Sequence, residues 1–391
     1  MSRIKRSFVT LDGLRGMAAL AVVTRHGPAY FASVSLYETT DAGTFPVGPF
    51  FESYLAVDFF FALSGFVLAH AYGQRFREGL TTVQFMTVRL IRLYPLYFLA
   101  LAMSAVSVWG QVAHGDINTL KNIGTAVFFL PVMPDTSLHA TAALFPLNVP
   151  AWSLFFELLA NLGFGLMGVR LGNSKLFVIV LIAGLALSGA VAAGLFGFGA
   201  AGKGAMDAGF QWRSVWAGCL RVTYSFFAGV LVYRVWSSSR QTFRVSPLLV
   251  LLLLIAILVA NPSPTYRTAF DLIVTIAIFP MIIWLGAGCV ANGPIASIFG
   301  WLGLTSYAVY VLQSPLYDLT WIASRKLWGD TSNFGVTYGI IFVAFVFAVA
   351  IMSDRYFDSP VRSILTARFT SDFRVGVSLI TQKSAIKTYR K

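Results

Sequence analysis

Long apolar segments recur along the whole chain, and they restrict the fold more than any other feature of the sequence. Each approaches the roughly 20 residues that an α-helix needs to cross a bilayer. They cover residues 11–34, 54–72, 94–114, 151–169, 176–199, 215–236, 246–260, 270–290, 301–322 and 334–352. Continuous apolar runs of this length are typical of helices, because lipid offers the backbone no hydrogen-bond partners. We therefore predict an all-α integral membrane protein with about ten transmembrane helices enclosing a central groove.

The composition agrees with a membrane protein and argues against two other classes. Hydrophobic residues make up 57% of the 391 residues and charged residues only 12%, whereas soluble domains carry roughly 25% charged residues. The net charge of +13 comes from basic residues scattered between apolar segments, so we predict no nucleic-acid partner. Cys219 and Cys289 lie inside predicted spans, a placement that indicates neither a disulfide framework nor a zinc site.

The distribution of basic residues predicts the orientation in the membrane. If the N-terminus is cytoplasmic, twenty lysines and arginines fall on the cytoplasmic side and six on the outer side. Basic residues concentrate on the cytoplasmic side of membrane proteins, so we predict that both termini are cytoplasmic. We divide the chain into a transmembrane domain, residues 1–360, and a basic cytoplasmic tail, residues 361–391, that is expected either to be partly disordered or to lie on anionic membrane lipids. The connections 37–53 and 115–150 are predicted to be ordered outer loops.

The first span carries two polar side chains that point into one groove. Arg15 and His26 are eleven residues apart, so they lie on nearly the same helical face, roughly 16 Å apart along the axis. Counted inward from the outer ends of their spans, Asp58 and Glu157 fall at the depth of His26, where ionisable groups mark function. We predict that His26 is a general base held by these carboxylates; a purely structural polar cluster is the alternative. Pro28 is expected to break the helix, because proline has no N–H to donate.

A group of arginines predicts the chemistry of the other half of the groove. Arg89 and Arg92 are three residues apart and therefore neighbours on one helical face, and Arg15 enters the same cytoplasmic half. Guanidinium groups bind phosphates in a bidentate manner, which predicts an anionic donor; anchoring of the spans by positive charge is the alternative interpretation. His114 and His139 have no acidic or cysteine partners at metal-ligand spacing, so we predict no metal site.

Five segments resemble, in order, the membrane acyltransferases of acyltransferase family three. They are LDGLRGMAALAVVTRH from residue 11, VDFFFALSGFVLA from residue 57, RLIRLYPLYFLAL from residue 89, PAWSLFFELLANLGFG from residue 150 and LGLTSYAVYVLQSPLY from residue 302. This family O-acylates surface polysaccharides and related glycans. The resemblance implies a ten-helix domain in the bacterial inner membrane. That domain would move an acyl group, usually acetyl, from cytoplasmic acyl-CoA (acetyl-CoA) to a hydroxyl of a carbohydrate or glycolipid acceptor.

The resemblance and the spacing arguments together define a candidate site. The residues that match the family's motifs are Arg15, His26, Arg89, Arg92, Trp152, Ser153, Leu154 and Glu157. We expect His26, Glu157 and Asp58 to be catalytic, Arg15, Arg89 and Arg92 to bind the donor, and Arg25, Trp152, Tyr310 and Gln313 to bind the acceptor. Family members often carry a histidine where this chain has Gln313.

Two other classes of function are compatible with parts of the sequence. The first is a multi-pass transporter of a small anionic or sugar-like solute, and the second is a non-catalytic membrane scaffold. A secondary transporter is expected to show inverted repeats, whereas the polar groups of this chain crowd into the first four spans. Within the enzyme hypothesis, an acyl-histidine intermediate is the alternative to direct transfer.

Overall fold

The structure is helical over the part of the chain that it describes. This computed structural model describes residues 8–31, 50–109, 117–133, 143–167, 171–199, 205–239, 245–329 and 335–370, with the backbone only for residues 26–31, 109, 117–118 and 335–336. Within these ranges, β pairing is limited to one antiparallel bridge between Ala143 and Gln211. The all-α class predicted from the apolar segments is therefore confirmed for the described residues.

Thirteen α-helices follow one another in the described ranges. In chain order, α1 to α13 are Val9–Phe31, Ala56–Arg77, Thr82–Trp109, Ile117–Val127, Ala151–Met167, Asn173–Ala192, Val215–Ser238, Pro247–Val259, Pro264–Ile273, Phe279–Gly288, Gly293–Trp328, Gly335–Ser353 and Ser359–Thr370. Two short π-helical turns join neighbours: Val274–Ile278 connects α9 to α10, and Asp354–Asp358 connects α12 to α13. Each of these pairs is therefore one continuous helical rod.

Seven helical stretches of the described chain are long and apolar enough to cross a membrane. They are Ser53–Arg77, Thr82–Val108, Asn173–Ala192, Trp212–Ser238, Pro264–Gly288, Gly293–Trp328 and Thr337–Thr370. Ala151–Met167 and Pro247–Val259 are apolar but shorter. The protein is a multi-pass membrane protein.

Several helix boundaries differ from the sequence-based prediction. α1 continues through Pro28 to Phe31, so the expected break beside His26 is absent; membrane helices tolerate proline where neighbouring groups satisfy the freed carbonyl. α3 begins at Thr82, before the predicted start of its span at residue 94. α4 lies in the segment predicted as an outer loop. α13 crosses the boundary placed at residue 360 and continues to Thr370.

Glycines allow two helix pairs to pack closely around the site. α1 and α11 run side by side in the same direction, because Gly13 lies against Phe299 and Gly16 against the backbone of Leu302. α2 and α7 cross at Gly65 and Gly229, where a Cβ on either glycine would collide with a carbonyl oxygen of the opposite helix. Such small-residue contacts are typical of helices that associate in membranes.

Candidate active site

Arg15 is anchored to α11 near the N-terminal end of α1. Its Nε donates to the Ser306 hydroxyl at 2.9 Å and its Nη2 to the Gly303 carbonyl at 2.8 Å. The same guanidinium lies 3.1 Å from the carboxylate of Asp12, one turn earlier on α1. The close glycine contacts of α1 with α11 bring this arginine within reach of the backbone of α11. Its position is therefore fixed by both helices.

A small cavity opens beside Arg15 and collects charged side chains from four helical segments. Arg92 of α3 and Arg362 of α13 line it together with Arg15, and Asp354 and Asp358 come from the π-helical turn before α13. Three guanidinium groups against two carboxylates give its walls a net positive charge. Its volume is about 20 Å³, which is room for about one water molecule, so a larger anion requires these side chains to move apart.

The cavity contains two of the three arginines that the sequence predicts as donor-binding residues. Arg15 and Arg92 both line it, whereas Arg89 is absent from its lining. Within the described part of the chain, Arg92 makes no hydrogen bond or ion pair. Asp354 and Asp358 line the same cavity, but a half-buried guanidinium without a hydrogen-bonded carboxylate is available to an incoming anion.

Glu157 is held by neighbours on two other helices. The Arg89 guanidinium donates to its Oε1 at 2.8 Å, and the Ser64 hydroxyl donates to the same oxygen at 2.7 Å. With the Asn161 amide in its hydrogen-bonded orientation, the Asn161 oxygen accepts from Arg89 Nε at 3.1 Å. The structure therefore gives Arg89 a carboxylate partner, and its expected contact with a donor phosphate stays a prediction.

Asp58 forms a separate and more deeply buried ion pair with Arg221. Arg221 Nη2 lies 2.6 Å from the Asp58 carboxylate, and both side chains are at most 1% exposed. The remaining donors of Arg221 reach the carbonyls of Ala208 at 2.6 Å and Tyr54 at 3.0 Å. We call Asp58, Arg221, Tyr54 and Ala208 the Asp58 cluster. It ties the start of α2 to α7 and to the chain segment before α7.

Asp58 and Glu157 meet α2 at different positions along its length, and the expected common depth with His26 stays a prediction. Glu157 contacts Ser64, which is six residues and about 9 Å further along α2 than Asp58. The partner of Arg221, a buried arginine within the predicted sixth span, is Asp58.

Arg25 places the C-terminal half of α1 beside the Asp58 cluster. Its Nη1 donates to the Phe51 carbonyl at 2.5 Å, its Nη2 lies 3.9 Å from Asp207, and its guanidinium stacks over the Tyr54 ring at 5.5 Å. His26 is the next residue of α1, and its side chain lies outside the described side chains. The expected contacts of His26 with Glu157 and Asp58 therefore stay predictions.

A buried carboxyl group also lies near this end of α1. Glu52 is fully buried directly before the span that begins at Ser53. Burial raises the pKa of its carboxyl, because a low-dielectric environment disfavours the charged form. This end of the protein therefore contains a carboxyl group that favours its neutral form more than an exposed glutamate does.

Three of the expected acceptor-binding residues, Trp152, Tyr310 and Gln313, lie inside the protein. The Arg221 guanidinium packs over the Trp152 ring at 5.5 Å. The Tyr310 hydroxyl shares a hydrogen bond of 2.8 Å with Ser153, and the Gln313 amide donates to the Tyr310 carbonyl at 3.1 Å. All of these side chains are buried, so their contact with an acceptor stays a prediction.

Sequence reasoning missed several polar partners in these clusters. Arg362, Asp354 and Asp358 belonged to the predicted end of the membrane domain and its tail, although their spacing of four and eight residues places them near one helical face. Asp271, inside a predicted span, accepts a hydrogen bond of 2.9 Å from the Tyr54 hydroxyl. Within the described residues, no three histidine, cysteine or acidic side chains come together as a candidate metal site.

Comparison with known proteins gives two relatives and a family. The chain is 40% identical over 199 residues to "Protein 2 in picA locus" of Rhizobium radiobacter, covering 47% of this chain and 95% of that protein. It is 29% identical over 103 residues to "Exopolysaccharide production protein ExoZ" of Rhizobium meliloti (strain 1021), covering 26% of this chain and 30% of that protein. No solved structure matches the chain.

The family match covers nearly all of the described helices. Residues 8–353 match the model of the acyltransferase domain of family 3. This range contains the Asp58 cluster and the cavity residues Arg15 and Arg92, but it ends before Asp354, Asp358 and Arg362. The resemblance seen in the five sequence segments is thereby confirmed, and the transporter and scaffold alternatives are set aside. The chain belongs to acyltransferase family 3 and is a membrane O-acyltransferase.

Proposed function

We propose that the protein transfers an acetyl group from cytoplasmic acetyl-CoA to a hydroxyl of a carbohydrate or glycolipid acceptor at the outer side of the bacterial inner membrane. The observation that carries this proposal is the cationic cavity, where Arg92 lies beside the anchored Arg15 and makes no hydrogen bond or short ion pair within the described chain. Coenzyme A is a polyanion at its phosphate end, so guanidinium groups complement it. The similarity to an exopolysaccharide production protein, ExoZ, supports a carbohydrate acceptor.

The helix directions support a topology of about ten spans with both termini in the cytoplasm. α1 and α11, the predicted first and ninth spans, run in the same direction. α2 and α7, the predicted second and sixth spans, also run in the same direction, because Asp58 pairs with Arg221 and His70 further along α2 lies 3.4 Å from Tyr233 further along α7. Two odd-numbered spans, or two even-numbered spans, must be parallel in this topology.

In the proposed reaction, His26 accepts the proton of the acceptor hydroxyl. The hydroxyl oxygen then forms a bond to the thioester carbonyl carbon, the carbon–sulfur bond breaks, and the proton passes from the imidazole to the departing thiolate. His26 lies eleven residues, roughly 16 Å, along α1 from Arg15. When the phosphates of coenzyme A bind at the cavity, the long pantetheine arm spans this distance and carries the thioester to His26. General-base catalysis of this kind contributes about 10² to 10⁴ in rate.

Two carboxylates with fixed positions, Glu157 and Asp58, have different roles in the proposed site. Glu157, held by Arg89 and Ser64, is proposed to stabilise the charged imidazole. Asp58 is proposed to act indirectly. Its ion pair with Arg221 holds the start of α2 against α7, near the part of α1 that carries His26. We place Arg25, Trp152, Tyr310 and Gln313 at the acceptor, and their polarity suits sugar hydroxyls.

The proposal is tested with the purified protein in detergent and radiolabelled acetyl-CoA, with a surface glycan fraction as acceptor. We expect His26→Ala to lower the transfer rate at least 100-fold while coenzyme A still raises the unfolding temperature. His70→Gln is the matched control, because His70 contacts Tyr233 away from the cavity. Transfer by the His26→Ala protein at the wild-type rate would remove His26 from the reaction.

A further inference from the structure

Arg362 stands outside the family-matched residues and nevertheless lines the cationic cavity. The match ends at residue 353, whereas Arg362 lies on α13 and faces the cavity together with Arg15 and Arg92. The π-helical turn Asp354–Asp358 joins α12 to α13 without a break, and α13 packs against α3. The segment after the family domain therefore supplies one wall of the proposed donor site.

Arg362 is held by two carboxylates through only one of its nitrogens. Its Nη2 lies 2.8 Å from the Asp358 carboxylate and 3.2 Å from the Asp354 carboxylate, and 3.5 Å from the Ser359 hydroxyl. Its Nε is buried without a hydrogen-bond partner, and so is Oδ1 of Asp358. A buried N–H donor without an acceptor is unfavourable, so this side chain is incompletely satisfied in its present position.

The charges around Arg362 favour an anionic ligand at this position. Three guanidinium groups converge on a cavity of about 20 Å³ that has only two carboxylates in its lining, so a further anion would lower the repulsion among the three positive charges. The unpartnered Nε, together with a terminal nitrogen, presents the side of the guanidinium fork that binds phosphate oxygens in pairs. Asp354 and Asp358 then compete with the phosphate for the same side chain.

We propose that Arg362 is a third phosphate-binding residue of the donor site, and that Asp354 and Asp358 hold it until the phosphates of the donor replace them. This inference rests on the proposed use of acetyl-CoA. It assigns α13 to the donor site. The two carboxylates act as competitors, so they weaken binding of the donor while they keep the guanidinium beside the cavity.

The test measures the dissociation constant of coenzyme A itself by titration calorimetry on the full chain in detergent. We expect Arg362→Gln to weaken binding about tenfold, the loss of one charge-assisted pair at a partly exposed site, and Arg362→Lys to recover part of it. Asp358→Asn is expected to tighten binding about threefold. Arg355→Gln is the matched control, because Arg355 is exposed on the same turn and stacks on Tyr356.

The two variants are expected to change the affinity for coenzyme A in opposite directions, and this distinguishes a role in ligand binding from a purely structural role. If Arg362 and Asp358 only stabilise the fold, both variants lower the unfolding temperature. In that case Arg362→Gln does not weaken coenzyme A binding while Asp358→Asn tightens it. An Arg362→Gln protein that binds coenzyme A as tightly as the wild type overturns the assignment of Arg362. Absence of coenzyme A binding by the wild-type protein instead overturns the proposed function, so the two failures are distinguishable.

Discussion

At the scale of single residues, Asp58 and Arg221 form an ion pair that is almost completely buried in the described structure. Removing one partner leaves an uncompensated charge in a site without water access, which costs about 3–5 kcal/mol. We expect Arg221→Met to lower the stability of the protein by this order. Thermal unfolding in detergent measures it.

A double variant provides the control for this pair. Because Asp58→Asn combined with Arg221→Met removes both charges, the double variant should be more stable than Arg221→Met alone. Equal unfolding temperatures for the single and double variants would show that the pair is not the source of the effect.

Arg89 and Arg92 are three residues apart on α3, but their side chains have different surroundings in the structure. Arg89 pairs with Glu157, whereas Arg92 lines the cavity. We expect Arg92→Gln to raise the KM for acetyl-CoA about tenfold with a similar kcat, because it removes a phosphate partner. Arg89→Gln is expected to lower kcat about tenfold or more with little change in KM, because it releases Glu157.

Steady-state kinetics with varied acetyl-CoA separates the two roles. The two variants are each other's control, since both remove one positive charge from the same helix. A rise in KM of equal size for Arg89→Gln and Arg92→Gln would restore the sequence-based expectation that the two arginines form one phosphate-binding pair.

At the scale of helices, the crossing of α2 with α7 depends on two glycines. We expect Gly65→Ala to destabilise the protein by about 1–3 kcal/mol, because the added Cβ has no space against the carbonyl of Phe226 and the helices must separate. Gly73→Ala is the control on the same helix, since nothing lies within 4 Å of its added Cβ. Thermal unfolding of both variants measures the difference, and equal stability would mean that the helices do not approach as described.

Hydropathy located most helices, because an apolar run of residues can be recognised without knowing which other helix it packs against. It missed α4 and α13, whose sequences alternate polar and apolar residues and become helical through packing on α3. It also misplaced the start of α3, because Arg89 and Arg92 interrupt the apolar run although the helix continues. The pairing of Asp58 with Arg221 joins residues 163 positions apart, and the sequence contains no signal that selects this pair over Glu157.

At the scale of the whole molecule, the two polar clusters lie towards opposite ends of α1. The cavity with Arg15 belongs to the N-terminal end, and Arg25 with the Asp58 cluster belongs to the other end. Such a separation suits a donor and an acceptor that approach from opposite sides of the membrane. In the proposed topology the cavity faces the cytoplasm, as the excess of basic residues on that side predicts.

This orientation is testable with single cysteines at exposed positions near each end, introduced after Cys219→Ala and Cys289→Ala. Arg213, exposed just before α7, marks the end with the Asp58 cluster, and Arg355, exposed on the turn before α13, marks the end with the cavity. A membrane-impermeant maleimide applied to intact spheroplasts should label the Arg213→Cys protein and spare the Arg355→Cys protein until the membrane is opened. The reverse pattern would place the cationic cavity outside, where cytoplasmic acetyl-CoA cannot reach it, and would contradict the proposed direction of transfer.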